Sequence, residues 1–127
     1  METTLGIIEG FYGKLYTKRQ RESLCSFASK NSYSYYIYAP KNDRSLRREW
    51  MRDFSAYEIE KLKDFSAFCH QRNMRFGIGI SPLAITEDPK KKLPYLYKKI
   101  DTAISKLKTD IIAILFDDIK LYTPDEG

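Results

Sequence analysis

The segment that decides the fold is residues 111–118, which read Ile-Ile-Ala-Ile-Leu-Phe-Asp-Asp. Its apolar part is nearly continuous, which is typical of a strand that is buried on both faces of a parallel sheet. Two adjacent carboxylates, Asp117 and Asp118, end the run. Because functional groups in such folds lie at the carboxyl ends of the strands, this segment predicts both a fold and a site.

Three earlier segments also have the character of strands. Residues 5–8 are apolar, residues 33–38 are aromatic and β-branched, and residues 75–80 form a third candidate that Ser-Pro ends. Helical patterns separate them. A hydroxyl followed three residues later by Gln or Glu forms a capping box, and this pattern predicts helices that begin after Thr17 and after Ser55. A third helix begins at Asp88-Pro89 or at Leu93-Pro94.

Apolar residues recur at helical spacing in each of the three predicted helices. We expect these residues to face the core: Leu24, Phe27 and Ala28; Ile59, Leu62, Phe65, Phe68 and Cys69; Leu96, Ile100, Ala103, Ile104 and Leu107. Strands that alternate with helices predict an α/β fold, a parallel βαβαβαβ unit with right-handed crossovers. No linker interrupts the series, so residues 1–127 are expected to form a single domain.

The composition places the chain among ordinary globular proteins. It has 127 residues, 31% of them charged, and a net charge of +5. No apolar run approaches the roughly 20 residues that span a bilayer, and the polar N-terminus does not resemble a secretory signal. Cys25 and Cys69 have no metal-binding or disulfide spacing, so we expect reduced, partly buried thiols in a cytoplasmic protein without a membrane partner.

The basic stretches are residues 18–21, 44–52 and 90–92, and we interpret each as a solvated helix surface or loop. A basic nucleic-acid binder that stacks bases on its 10 tyrosines is a weaker hypothesis. It lacks any recognised nucleic-acid motif, so no nucleic-acid partner is expected. His70 is expected to be a partly exposed helix residue rather than a ligand, and no metal or cofactor is predicted.

Two residues after the first and second strands could serve a ligand. Gly10 would let a ligand approach the backbone, although a turn glycine is the alternative. Lys41 could donate to a ligand hydroxyl or carbonyl, although an exposed loop lysine is equally consistent with the sequence. Both would converge with Asp117 and Asp118 at one edge of a parallel sheet.

Asp117 and Asp118 are adjacent carboxylates that repel each other, so one pKa tends to rise while the other stays low. That division supplies one proton donor and one anion at neutral pH, as glycoside hydrolysis requires. Two alternatives remain open from the pair alone. The residues could simply end a strand and cap the next turn, or they could bind a hard metal ion.

Four blocks occur in order along the chain: Glu-Gly-Phe-Tyr-Gly at 9–13, Tyr-Ala-Pro-Lys at 38–41, Ile-Ser-Pro at 80–82 and Leu-Phe-Asp-Asp-Ile at 115–119. Together they resemble the catalytic domain of glycoside hydrolase family 84, a family of β-N-acetylglucosaminidases. The resemblance covers nearly the whole chain. Asn42 stands where the family often has Asp.

The resemblance implies a retaining, substrate-assisted glycosidase that acts on an N-acetylglucosamine-containing glycan or glycoprotein. Asp117 would orient and polarise the 2-acetamido group, and Asp118 would be the general acid and then the general base. Gly10 would contact the sugar through its backbone, and Lys41 would bind a sugar hydroxyl. No enzyme nucleophile and no cofactor are implied.

The resemblance also implies a TIM-type (β/α)8 barrel, which typically needs about 250 residues. The chain corresponds to the first half of such a barrel. We therefore expect activity to depend on a missing C-terminal half or on assembly with another copy. The alternative is a truncated, inactive relative that binds a sugar or a protein without turnover.

Overall fold

The computed structural model describes residues 4–116. Within them, strands and helices alternate in the predicted βαβαβαβ order, which is confirmed. The elements are β1 Gly6–Glu9, α1 Lys18–Lys30, β2 Tyr35–Tyr38, α2 Ala56–His70, β3 Arg75–Ile80, α3 Pro89–Ser105 and β4 Ile111–Ile114. Two short 3-10 turns, Arg44–Leu46 and Ile85–Glu87, follow β2 and β3 and were not predicted.

Side-chain caps fix where the helices begin. The Thr17 hydroxyl accepts from the Gln20 amide at 3.1 Å while the Gln20 side chain accepts from the Thr17 amide at 2.9 Å, so the first capping box is confirmed. The second, Ser55 with Glu58, forms the same pair of bonds. Helix α3 begins at Pro89 and continues through Pro94, which decides between the two predicted starts.

The sheet has the strand order β1-β2-β3-β4, and every neighbouring pair is parallel. Register aligns Ile8, Ile37, Gly77 and Ile111 across the four strands. A strictly sequential order with right-handed crossovers places all the helices on the same face of the sheet. This is the arrangement of a (β/α)8 barrel rather than of a doubly wound sheet, whose strand order reverses.

The core lies between the sheet and the helices. Tyr36, Phe76 and Ile78 are fully buried from the strands, and Leu62 and Phe65 pack against them from α2. Most of the predicted helix stripes take part in this core. Phe27 and Ile104 do not, because their side chains are 60% and 53% exposed.

The opposite face of the sheet is lined by small and aliphatic residues. A Cβ added to Gly77 would lie 2.8 Å from the Ile111 Cβ, and one added to Gly79 would lie 2.6 Å from the Ala39 Cβ. Burial on both faces is nevertheless wrong for two strands: Ile8 of β1 is 60% exposed, and all four residues of β4 are only half-buried. Among residues 4–116, β1 has only β2 as a strand neighbour, so one side of it is uncovered.

Two cysteines meet inside the core. The Cys25 and Cys69 sulfur atoms lie 3.6 Å apart, and both residues are free and fully buried, which corrects the expectation of partial burial. Within the part of the chain that the structure describes, no helix combines the length and the apolar character needed to cross a membrane.

Candidate active site

The carboxyl ends of the four strands lie side by side at one edge of the sheet, because all neighbouring pairs are parallel. Backbone hydrogen bonds continue the ladders past the strand ends. The Ala39 amide donates to the Glu9 carbonyl at 2.9 Å, and the Leu115 amide donates to the Ile80 carbonyl at 2.8 Å. The segments that follow β1, β2, β3 and β4 therefore start from one edge, as the sequence predicted.

Gly10 directly follows β1 at this edge and is half-buried. An added Cβ would lie 3.4 Å from the Ile8 Cγ2 and 3.9 Å from the Ala39 carbonyl oxygen, which are ordinary contacts. Its backbone does not adopt a positive φ. Neither packing among the described residues nor backbone conformation therefore requires a glycine here.

Lys41 follows β2 at the same edge and is also half-buried. Its backbone amide donates to the Phe11 carbonyl at 3.2 Å, which brings the segment after β2 against the segment after β1. The Asn42 side-chain amide donates to the Gly13 carbonyl and joins the same two segments. A carboxylate could not make that bond, because it has no N–H to donate. The structure thus brings Gly10 and Lys41 to neighbouring strand ends.

The predicted acid/base pair, Asp117 and Asp118, lies outside the described residues 4–116. Asp117 is the next residue in the chain after Phe116, which follows β4. The roles of both aspartates therefore stay predictions.

A buried carboxylate supports the end of β1. Glu9 is 1% exposed and accepts from the Arg21 Nε at 2.8 Å and the Arg21 Nη2 at 3.0 Å. The Tyr36 hydroxyl also donates to Glu9 at 2.5 Å, and Arg21 Nη2 donates to the Tyr16 carbonyl at 3.2 Å. Burial, together with the hydrogen bond from Tyr36 to Glu9 and the Glu9 charge, raises the pKa of Tyr36, so its hydroxyl remains a donor. The network ties β1 and β2 to the start of α1.

A second buried carboxylate shapes the turn that carries Lys41. Asp43 accepts from the Ser45 amide at 3.0 Å and from the Ser45 hydroxyl at 2.6 Å, and it also accepts from the Tyr38 hydroxyl. The Lys61 ammonium lies 3.9 Å from Asp43 and donates to the Tyr38 hydroxyl at 3.2 Å. Burial and the neighbouring Asp43 charge raise the pKa of Tyr38. The residues after β2 are therefore fixed from the helix side of the sheet.

The same turn packs over the end of β3. The Ser81 amide donates to the Leu46 carbonyl at 2.7 Å, and the Trp50 indole donates to the Leu83 carbonyl at 3.0 Å. Trp50 is only 2% exposed. The strand ends of β1, β2 and β3 are thus joined by backbone and buried side-chain bonds.

Basic side chains line a cavity of about 240 Å³ beside Lys41. Among the described residues its walls are Lys41, Asn42, Arg44, Arg47 and Arg48. The Arg47 guanidinium lies 5.3 Å from the centre of the Tyr12 ring and donates to its hydroxyl at 3.2 Å.

Comparison with known proteins gives a family for this arrangement. A family model described as beta-N-acetylglucosaminidase matches residues 5–126. The chain belongs to this β-N-acetylglucosaminidase family. A solved structure, that of CpGH84B, superimposes with a TM-score of 0.85 at 27% sequence identity, over 93% of this chain and 21% of that one. The expected glycoside hydrolase family 84 resemblance and half-barrel fold are confirmed.

Two curated relatives of the family are similar in sequence. Protein O-GlcNAcase of Rattus norvegicus and that of Mus musculus are each 35% identical over 115 residues, which is 90% of this chain. The matched region is 12% of each relative. The chain thus spans a small part of the length of the curated relatives that it matches.

Sequence interpretation missed Arg21 as part of this family member's supporting network. We expected residues 18–21 to form a solvated face, but Arg21 is 4% exposed. The available signal was its position, because Arg21, Cys25 and Ala28 follow the i, i+4, i+7 spacing of one helix face. Asp43 was missed because nothing in its local sequence shows that Tyr38 and Lys61 face it.

His70 lies away from the strand ends considered above. Its Nε2 lies 2.7 Å from Asp110, which precedes β4 at the amino end of the sheet. Asp110 also accepts from the Phe76 amide at 2.9 Å. Within residues 4–116 no group of His, Cys, Asp and Glu side chains is arranged to hold a metal ion.

Proposed function

We propose that this chain carries sugar-binding residues and the acid/base pair of a β-N-acetylglucosaminidase active site. The substrate would be β-linked N-acetylglucosamine on a protein or glycan, and the mechanism would be retaining and substrate-assisted. The proposal rests on one observation: the segments that follow β1, β2 and β4 start from the same edge of the sheet, where the strands have their carboxyl ends. Membership of the β-N-acetylglucosaminidase family supports it.

In the proposed reaction, the oxygen of the substrate's 2-acetamido group attacks the anomeric carbon. Asp117 orients and polarises that group, and Asp118 donates a proton to the departing glycosidic oxygen as the bond breaks. The first attack forms an oxazoline-like ring. Asp118 then takes a proton from water as that water attacks the anomeric carbon and breaks its bond to the acetamido oxygen, which opens the ring. Two displacements return the original configuration.

The described residues have defined roles in this proposal. The backbone of Gly10 contacts the sugar, and the absence of any packing need for glycine there is consistent with a ligand's approach. The Lys41 ammonium donates to a sugar hydroxyl. The buried Glu9 and Asp43 networks hold the two supporting segments in place, so little ordering is required when the sugar binds.

The remaining walls of the site would come from further strands of the barrel. Residues 1–127 would form part of one catalytic domain, completed by additional chain or by another copy. Two free, buried thiols support a reducing compartment, and we propose the cytoplasm.

The first test is hydrolysis of a fluorogenic β-N-acetylglucosaminide by the purified chain, with Asp118→Asn as the matched blank. We expect turnover to fall by about 10²-fold or more in the variant, because the proton donor is lost while the shape is kept. Circular dichroism of both proteins controls for folding. Measurable and equal turnover in the two proteins would contradict the acid/base assignment.

A second candidate is sugar binding without turnover by the chain alone. The uncovered face of β1, with Ile8 60% exposed, favours it, because a half-barrel leaves part of the site unbuilt. Saturable binding of N-acetylglucosamine, weakened in Lys41→Met and accompanied by no hydrolysis, would support this candidate. Turnover that Asp118→Asn abolishes would exclude it.

A further inference from the structure

We propose that the basic cavity lined by Lys41, Asn42, Arg44, Arg47 and Arg48 binds an acidic side chain of the polypeptide that carries the sugar. This proposal rests on the proposed function, since it places the cavity next to the sugar. The ligand chemistry is a carboxylate or a phosphate within a few residues of the glycosylated serine or threonine. The enzyme would therefore favour N-acetylglucosamine in acidic surroundings.

The first argument is the positive charge of the described side chains that line the cavity. Four cationic side chains from residues 41–48 line a cavity of about 240 Å³, and none of its described walls is acidic. Asp43, within the same segment, is buried and accepts bonds from Ser45 and Tyr38. Glu49 lies 3.8 Å from Arg44, but both side chains are exposed, at 40% and 71%, so this pair is weak in water.

The second argument is position. Lys41 lies in the cavity wall and at the strand end where we place the sugar, so the two sites share one boundary. Arg47 is steadied by its contact with the Tyr12 ring, and Tyr12 belongs to the segment after Gly10. An anion held by the arginines would therefore lie beside the sugar rather than on a distant surface.

The third argument concerns the size and shape of the ligand. A cavity of about 240 Å³ is smaller than the ~300–1,000 Å³ of a typical small-molecule site, which suits one anionic group. Arginine binds planar carboxylates and phosphates in a bidentate manner. A uronic-acid polysaccharide repeats its charges and would need a long basic groove, whereas these cations come from a single segment of eight residues, 41–48.

The test measures binding of four fluorescent peptides to the full chain by anisotropy at low salt. The peptides share one serine-containing sequence and carry either glutamates or glutamines beside the serine, each with or without β-N-acetylglucosamine. We expect the glutamate peptides to bind more tightly than the glutamine peptides, whether or not sugar is present. A serine phosphate in place of one glutamate distinguishes phosphate from carboxylate as the preferred anion.

The decisive variant is Arg44→Gln/Arg48→Gln, which alters two exposed cavity residues. Its affinity for glutamate peptides should fall about three- to tenfold, with no change for glutamine peptides. The matched control, Lys30→Gln/Lys63→Gln, removes the same charge from exposed helix positions and should retain wild-type affinity.

Three results would overturn the proposal. They are equal binding of glutamate and glutamine peptides, an equal loss in the control variant, and stronger binding of a uronic-acid oligosaccharide than of the acidic peptide. Failure of the proposed function gives a different pattern. In that case the sugar adds nothing to the affinity of the glutamine peptide, while the preference for glutamate remains.

Discussion

Arg21 and Glu9 form an ion pair with side chains only 5% and 0% exposed, and this pair bears directly on stability. Replacing Arg21→Met leaves the Glu9 carboxylate buried without its cation, and we expect a loss of about 3–5 kcal/mol in the free energy of unfolding. Urea unfolding followed by circular dichroism measures it. Arg19→Met, on the exposed side of α1, is the control and should change stability by less than about 0.5 kcal/mol. Similar urea concentrations at the midpoint of unfolding for Arg21→Met and Arg19→Met would contradict the prediction.

Lys99 is another buried charge, 3% exposed, whose ammonium lies 3.8 Å from the centre of the Phe54 ring. It donates to the Arg52 carbonyl at 2.7 Å, which joins α3 to the segment after β2. Burial, with the nearby Arg52 charge, lowers the pKa of Lys99 from 10.5 to about 8. Folding therefore disfavours the charged form of this side chain.

The low pKa of Lys99 predicts a stability that depends on pH. Between pH 8 and 10.5 the unfolded chain keeps a proton that the folded chain has lost, so this residue's contribution to stability rises with pH. The rise is at most about 3 kcal/mol. Comparing unfolding free energies of wild type and Lys99→Met from pH 7 to 10 isolates it. Parallel pH profiles for the two proteins would show that the Lys99 pKa is not lowered.

Individual side chains show where sequence interpretation succeeds and where it fails. Cys25 was correctly predicted as a free thiol because its spacing excludes a metal or disulfide framework. Arg21 was assigned to solvent because charge was given more weight than its place on the buried helix face. The partner that permits its burial, Glu9, is 12 residues away in the sequence, and only the fold brings the two together.

In and next to the strands, Gly79 and Gly10 differ in why a larger residue is unsuitable. A Cβ at Gly79 would lie 2.6 Å from the Ala39 Cβ and 2.9 Å from the Leu115 Cδ1, whereas a Cβ at Gly10 would make ordinary contacts. We expect Gly79→Ala to lower the free energy of unfolding by about 1–3 kcal/mol because the residues that directly follow β2 and β4 must move. Gly10→Ala should leave thermal stability nearly unchanged while weakening N-acetylglucosamine binding. Equal thermal midpoints for the two variants would contradict this difference.

The elements themselves were largely predictable, because local signals define them. Thr17 and Ser55 each carry a complete capping box, and both helices begin where the boxes place them. The start of α3 was ambiguous, since Pro89 and Pro94 both suit a first turn, and the Asp88 cap decides it. The Arg44–Leu46 turn was missed although its signal is local: Asp43 caps the turn by accepting from the Ser45 amide, and the Tyr38 hydroxyl five residues earlier donates to the same carboxylate.

For the whole molecule, the fold followed from strand–helix alternation, whereas only part of the site can be described. The structure brings Gly10 and Lys41 to neighbouring strand ends, as predicted. The Asp117 and Asp118 assignments remain predictions, because both residues lie outside residues 4–116. Walls supplied by other strands could not be derived from this sequence at all, since a site on a barrel is built from the ends of several strands.

The buried cysteines report on unfolding of the molecule as a whole. The hydrogen bond with Cys25, together with burial, raises the pKa of Cys69, and only the thiolate reacts quickly. The same bond lowers the pKa of Cys25, but Cys25 is fully buried, so a reagent cannot reach its sulfur in the folded protein. We expect neither Cys25 nor Cys69 to be alkylated by iodoacetamide in the native protein, and both to react in urea, as measured by mass spectrometry. Phe27→Cys places a reference thiol at an exposed position that should react at once. Native alkylation of Cys25 or Cys69 at the reference rate would show that the core opens locally.

The turn after β2 has a consequence for how such proteins diverge. Hydrogen bonds of the buried Asp43, the Leu46 carbonyl and the Trp50 indole hold the turn in place. Arg44 and Arg48 are exposed on its surface. Substitutions at positions 44 and 48 are therefore nearly neutral for folding. Natural lineages can exchange these two side chains freely, so the proposed preference for the surroundings of the sugar can change while the buried contacts that hold the turn are retained.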